Sequence, residues 1–165
     1  MELAEGLLPF SADDVIARYK DTVYRVAYTY CQNPADAEDV TQEVFIRFIK
    51  APAGFASEEH LKAWLIRVAV NLSKNLLRSA WFRKTVPLPD QETPRPEEET
   101  RRHIYDAVMS LPAKYRAVVL LYYFEDYSVR EAAEVLRRKE TTVQTQLQRA
   151  RTMLRQMLKE EWQDE

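Results

Sequence analysis

The stretch SVREAAEVLRRKETTVQTQLQRARTMLRQML, residues 128–158, decides the fold. Ser128 followed three residues later by Glu131 is a capping box, so a helix opens there. Val129, Ala132, Ala133 and Leu136 share one side of it, and the paired alanines leave room for a second helix to cross closely. After a brief break at RRKE, residues 137–140, a longer helix is expected from about Thr141 past Leu158. Val143, Leu147, Ala150, Leu154 and Leu158 form its apolar stripe at three- and four-residue steps. The other side offers Gln144, Gln148, Arg151 and Arg155, with Thr145 and Arg149 beside them.

Two helices, a short turn and a polar second helix are the pattern of a helix-turn-helix. Glutamine can pair bidentately with adenine, and arginine with guanine or phosphate. The glutamines carry no charge, so attraction to phosphate must come from the C-terminal arginines and from Arg130, Arg137, Arg138 and Lys139, and it should weaken steeply with salt. Taken alone, the same pattern also describes the solvated face of an ordinary amphipathic helix.

N-terminal to this motif the spacing predicts one helix near 97–110, broken at Pro112, and another over about 112–124. Before them lies VPLPDQETPRPEEET, residues 86–100. Pro87, Pro89, Pro94 and Pro96 cannot continue a helix, and five acids stand against Arg95 alone. This reads as an extended acidic linker, 87–100, between a first domain at 1–86 and a second at 101–165. The first domain reads as three helices. Ser11 caps one with the stripe Ile16, Tyr19, Val23, Val26 and Tyr30. Asn33 and Pro34 open another, to about Lys50, with Ala37, Val40, Val44 and Phe48 inward. A third runs from near Ser57 to about Trp81, with Leu65, Val68, Leu72 and Leu76 as its apolar side.

Composition agrees with an all-α chain. Among 165 residues only two are glycine, too few for the tight turns of a β protein. The single cysteine, Cys31, allows neither an intrachain disulfide nor a cysteine zinc cluster, and His60 and His103 show no ligand spacing. No metal or cofactor is therefore expected. With no Gly-rich phosphate loop, no Cys/His pair and acids only on helix faces, no catalytic residue is expected either. The N-terminus MELAEGLLPF lacks a basic region, so no secretory signal is predicted. The longest apolar run, AWLIRVAV, is interrupted by Arg67 and too short for a bilayer. A cytoplasmic protein without membrane insertion is expected.

The formal net charge of −2 conceals an uneven distribution. Residues 62–84 hold six bases and no acid. On the third helix Arg67, Asn71, Lys74 and Arg78 recur at steps of four, three and four, with Asn75 alongside and Trp81, Phe82, Arg83 and Lys84 at the end. Bases mixed with aromatics suit single-stranded nucleic acid, because cations track phosphates while rings and amides meet unstacked bases. Trp64, next to Leu65, reads instead as core. The second helix has acids first and bases last, as the helix dipole favours, but Phe45 and Ile46 leave it apolar around much of its circumference. That combination suits a protein-docking surface.

In order and spacing, DAEDVTQEVFIRF, AWLIRVAVNLSKNLLR and LPAKYRAVVLLYYFEDYSVREAAEVLRRKETTVQTQLQRARTMLRQML resemble the extracytoplasmic-function sigma factors of bacterial RNA polymerase, over nearly the whole chain. The resemblance implies two helical domains, sigma region 2 and sigma region 4, in a non-enzymatic factor that recognises promoters and helps melt the −10 element. It implies that Asp39, Gln42 and Glu43 dock on the β′ clamp helices of core RNA polymerase. Arg67, Asn71, Lys74, Asn75 and Arg78 would receive the melted −10 strand, and residues 55–59 would form the loop that captures a flipped base. Arg130, Gln144, Thr145, Gln148, Arg149 and Arg151 would serve the −35 element. The apolar side of region 4 would meet the β flap, the acidic linker would run toward the RNA exit path, and an anti-sigma factor would be a further partner.

Two departures concern the reading of DNA. The family often has glycine in the helix-turn-helix turn and TVKSR on the reading helix, where this chain has RRKE and TVQTQ; many members have aspartate where Asn75 stands. Fewer bases at the reading helix should lower non-specific phosphate attraction and change the −35 preference. The motifs by themselves also fit a stand-alone DNA-binding regulator or a sigma-like module that sequesters a partner.

Overall fold

A computed structural model describes residues 11–51, 54–83 and 99–163. The chain divides into two compact units, Met1–Leu88 and Pro89–Glu165. Among the described residues all regular structure is helical. The linker expected at 87–100 falls almost wholly on residues outside the described ones.

The first unit contains α1 (Ala12–Cys31), α2 (Pro34–Lys50) and α3 (Glu58–Arg83), each packed on the other two. Ser11 caps α1 in a full capping box with Asp14, and Asn33 caps α2 with Pro34 at its first position. Between them Gln32 takes a left-handed conformation, φ 50°, and its N–H closes on the Tyr28 carbonyl. Val23, Val26, Ala27, Ala37, Val44, Ile66 and Ala69 form the centre of the core.

Two helix faces differ from their periodicity. The buried side of α3 is Leu61, Leu65, Ile66, Ala69, Val70 and Ser73, whereas Val68, Leu72 and Leu76 are only half-buried. At about 100° per residue, choosing Leu65 with Val68 rather than with Ile66 and Ala69 turns the inferred face toward its edge, and a run that is apolar on several sides cannot separate the two choices. On α2, Phe45 is buried and Phe48 half-buried, the reverse of expectation. Phe48 lies instead against Phe55 and Trp64, ring centroids 6.0 and 6.5 Å away.

The second unit contains α4 (Glu99–Ser110), α5 (Ala113–Val119), α6 (Val129–Leu136) and α7 (Glu140–Gln163). The helix expected over 112–124 is α-helical only to Val119, after which Leu120–Phe124 form a π-turn. The Glu125 and Tyr127 N–H groups reach back to the carbonyls of Leu120 and Leu121, at 3.0 and 2.9 Å. Along α7, Val143, Leu147 and Ala150 are buried, and Val108, Leu111, Tyr115, Val119 and Ala150 close the core with Met153, Leu154 and Met157 against them. Arg116 is buried here, and its Nη1 donates to the Leu111 carbonyl at 2.7 Å, just beyond the end of α4. A cation suits that position, where helix carbonyls lack partners.

Candidate nucleic-acid and protein interfaces

On α3 the basic stripe lies away from the buried face. Asn71, Asn75 and Arg78 are exposed; Arg67 and Lys74 are half-buried. The side chains of Trp81, Phe82, Arg83 and Lys84 lie outside the described residues.

The loop preceding α3 is tied down at several points. Gly54 adopts φ 151°, which L side chains rarely take. Phe55 packs edge-on against His60 and Trp64, both with centroids 5.5 Å away. Trp64, expected in the core, is half-buried beneath this loop. The Ala56 N–H donates to His60 Nδ1 at 3.1 Å, and the His60 N–H to Ser57 Oγ at 3.1 Å. Glu58 then joins the loop to α1: its Oε1 accepts from the Tyr19 hydroxyl at 2.8 Å and pairs with Arg18 Nη1 at 2.9 Å. Burial, and next the hydrogen bond to Glu58, push the Tyr19 hydroxyl up to about 12. Glu58 was not legible as an anchor, since nothing local links it to residues 39 and 40 positions earlier.

On α2, Asp39 and Gln42 are exposed, and Glu43 is half-buried and bonds Arg47 at 3.2 Å. Ile46 and Ile49, 44% and 62% exposed, continue the line of Asp39 and Gln42 at helical steps. The outer stripe is therefore acidic and polar at one end and apolar at the other. Phe45, expected to contribute to it, is in the core.

In the second unit, Ser128 and Glu131 complete both halves of their capping box, each at 3.0 Å. The helix-turn-helix turn is a Schellman closure: the Arg138 N–H bonds the Ala133 carbonyl at 2.9 Å and the Arg137 N–H the Glu134 carbonyl at 3.3 Å. Arg137 occupies, at φ 55°, the left-handed position that favours glycine. Gln144, Thr145, Gln148 and Arg149 are all exposed on α7. The Thr145 hydroxyl donates to the Thr141 carbonyl at 2.9 Å, which leaves its oxygen free to accept. Arg130, also exposed, faces Glu134 at 3.8 Å, a surface pair of little energetic weight.

Like Arg116, Arg138 and Arg151 are engaged within the unit. Arg138 Nη1 donates to the Lys114 carbonyl at 3.1 Å and to Gln146 Oε1 at 2.8 Å. Arg151 is half-buried and its Nε donates to the Tyr123 hydroxyl at 2.6 Å. That bond, foremost, raises the Arg151 pKa. The sequence marked both side chains as bases without indicating these partners, which sit in α5, on α7 and in the π-turn.

The geometry is that of an all-helical DNA-binding protein: a helix-turn-helix with an exposed reading helix in one unit, and a helix with an exposed basic and amide stripe in the other. The Sigma-70 region 2 model matches residues 15–83 and the Sigma-70, region 4 model residues 101–154. The chain is 30% identical over 168 residues to the ECF RNA polymerase sigma factor SigW of Bacillus subtilis, covering 89% of this chain and 88% of that one. It is 28% identical over 152 residues to SigV of the same organism, covering 88% and 90%. To SigE of Mycolicibacterium smegmatis it is 33% identical over 159 residues, covering 90% of this chain and 62% of that one. Its fold resembles Bartonella quintana RpoE, crystallised with the anti-sigma factor NepR, with TM-score 0.71, 19% identity, and 89% and 96% of the two chains covered. It also resembles CnrH in complex with the cytosolic domain of CnrY, with TM-score 0.60, 21% identity and 90% and 87% covered. The chain belongs to the extracytoplasmic-function sigma factors of the sigma-70 family. It is a transcription initiation factor for RNA polymerase and not itself an enzyme, and neither a stand-alone regulator nor a sequestering module is favoured. No helix among the described residues is long and apolar enough to cross a membrane.

Proposed function

We propose that the two units divide promoter recognition between them in the cytoplasm. The first, assigned to 1–86, docks on the β′ clamp helices of core polymerase through Asp39, Gln42 and Glu43, with Ile46 and Ile49 adding apolar area. The same unit takes the melted −10 strand on Arg67, Asn71, Lys74, Asn75 and Arg78, with the pinned loop at 55–59 receiving a flipped base. The second unit, 101–165, reads the −35 element with Gln144, Thr145, Gln148 and Arg149, helped by Arg130, and meets the β flap through its apolar side. Residues 87–100 link the two and run toward the RNA exit path. An anti-sigma factor is proposed as a regulator, in line with the NepR complex of the RpoE neighbour.

The observation that carries this reading is the separation of faces on α3: Leu61, Leu65, Ile66, Ala69 and Val70 are buried while Asn71, Asn75 and Arg78 are exposed. Melting then works by differential binding. Flipped bases and strand phosphates meet these groups only in the open promoter, so the open form is favoured. Run-off transcription with purified core enzyme and a promoter library tests the whole assignment. Arg78→Glu should reduce permanganate reactivity of the −10 thymines well beyond any loss of core affinity. An equal loss of both would refute the −10 role.

A further inference from the structure

We propose that Arg151 is a positioning residue for the reading helix and not a phosphate contact: fixed on Tyr122 and Tyr123, it sets the orientation in which α7 presents Gln144, Gln148 and Arg149. This rests on the −35 reading above. The sequence places Arg151 nearer the apolar stripe than Arg149 or Arg155, about 40° round the helix from Leu147, but shows no partner for any of the three. The structure separates them. Arg149 and Arg155 are exposed, whereas Arg151 is half-buried and its Nε donates to the Tyr123 hydroxyl at 2.6 Å.

The guanidinium sits in a corner made by two rings. Tyr122 and Tyr123 meet edge to face, centroids 4.9 Å apart at 82°, and the Arg151 guanidinium carbon is 5.7 Å from each centroid. A flat cation held by two ring contacts and one short hydrogen bond has little freedom to swing toward a phosphate. The π-turn at Leu120–Phe124 makes the corner possible. More residues share one turn there, so consecutive side chains diverge less than on an α-helix, and two neighbouring rings can enclose a single group.

The placement gives the corner its use. Arg138 bonds the Lys114 carbonyl, near the start of α5, and also Gln146 on α7. Arg151 bonds Tyr123, in the π-turn that ends the same segment. The two ties thus meet α7 at Gln146, among the reading residues, and at Arg151, just after them, and both are anchored on one support. The rest of α7 is held by an apolar seam of Val143, Leu147 and Ala150. Apolar contact is non-directional and tolerates a small roll of the helix; the two hydrogen-bonded ties do not. A roll at this point would spoil the alignment that bidentate base contacts require.

Two variants in the full chain, assembled with core polymerase, test this. Tyr123→Phe removes the hydroxyl and leaves both rings and every charge; Arg151→Gln removes the cation. Holoenzyme binding is measured on the duplex promoter that the wild type selects best from a −35 library and on a −35-scrambled control, across a salt series. Both variants should lower discrimination between the two duplexes by about fivefold or more, the low end of one base contact, with the salt slope kept. Were Arg151 a phosphate contact, Arg151→Gln would lower that slope by about 0.9, and Tyr123→Phe would leave discrimination intact. That result overturns the proposal, and so does an equal loss on both duplexes, which is what mere unfolding would produce. Gln148→Ala separates the two levels. Discrimination lost there but kept in Tyr123→Phe sinks the positioning role alone; a wild type that does not discriminate sinks the −35 reading and this proposal together.

Discussion

Two adjacent residues of α7 offer a direct test of the phase of the reading helix. Leu147 is 2% exposed within the seam, and Gln148, about 100° further round, is exposed. Leu147→Ala deletes most of a fully packed side chain, for which the measured cost in a core is about 2.7–5 kcal/mol. The second unit spans Pro89–Glu165. For a domain of that size each kcal/mol moves the melting temperature by about 4–8 °C, so its transition should fall by at least ~10 °C. Gln148→Ala removes no buried contact and should stay within about 0.5 kcal/mol of the parent. The functional effects should be opposite. Losing one bidentate base contact costs about 1–3 kcal/mol of discrimination, roughly 5- to 150-fold at the base pair it reads. Calorimetry gives the first quantity and run-off transcription from a panel of −35 variants the second. Leu147→Ala, assayed well below its own transition, should keep the parent's preference order. A large thermal loss in Gln148→Ala, or a changed preference in Leu147→Ala at unchanged stability, would mean that α7 presents a face about a quarter-turn away from the one assigned.

Three further outcomes are expected. Arg137→Gly should stabilise the second unit by about 0.5–1 kcal/mol, because a left-handed L residue costs about 1–2 kcal/mol and the entropy cost of glycine returns only about half of that; a lower denaturation midpoint would contradict the Schellman geometry. Tyr19, pushed from 10.0 to about 12 in the folded unit, favours its neutral form there, so its contribution is full below pH 10 and is lost as pH rises through about 12. Tyr19→Phe should accordingly flatten the alkaline fall in urea stability over that interval, and an unchanged fall would refute the buried, Glu58-bonded placement of the hydroxyl. Burial pushes the Cys31 thiol from 9.0 up to about 11, so its alkylation at pH 8 should run at least roughly tenfold slower in the folded chain than in urea, the loss of thiolate outweighing its greater nucleophilicity; equal rates would refute the packing around it.

The sequence by itself determined the helices and their division into two groups. Ser11, Asn33, Ser128 and Glu131 act within three residues of themselves; the first three occupy the N-caps expected of them and Glu131 the third helical position that completes the box. The stripe Val143, Leu147 and Ala150 is legible because polar residues flank it, which fixes its phase. The tertiary structure decided what local periodicity leaves degenerate. Where the run is apolar on several sides, as on α3 and at Phe45 and Phe48, only the neighbouring helices choose which residues are buried. A base in a sequence is a charge without an address: Arg116 enters the core at a helix end, while Arg138 and Arg151 find their partners in α5 and the π-turn. Caps and stripes are short-range properties carried by the chain itself, whereas the partner of a long flexible side chain depends on which distant backbone the fold brings within reach.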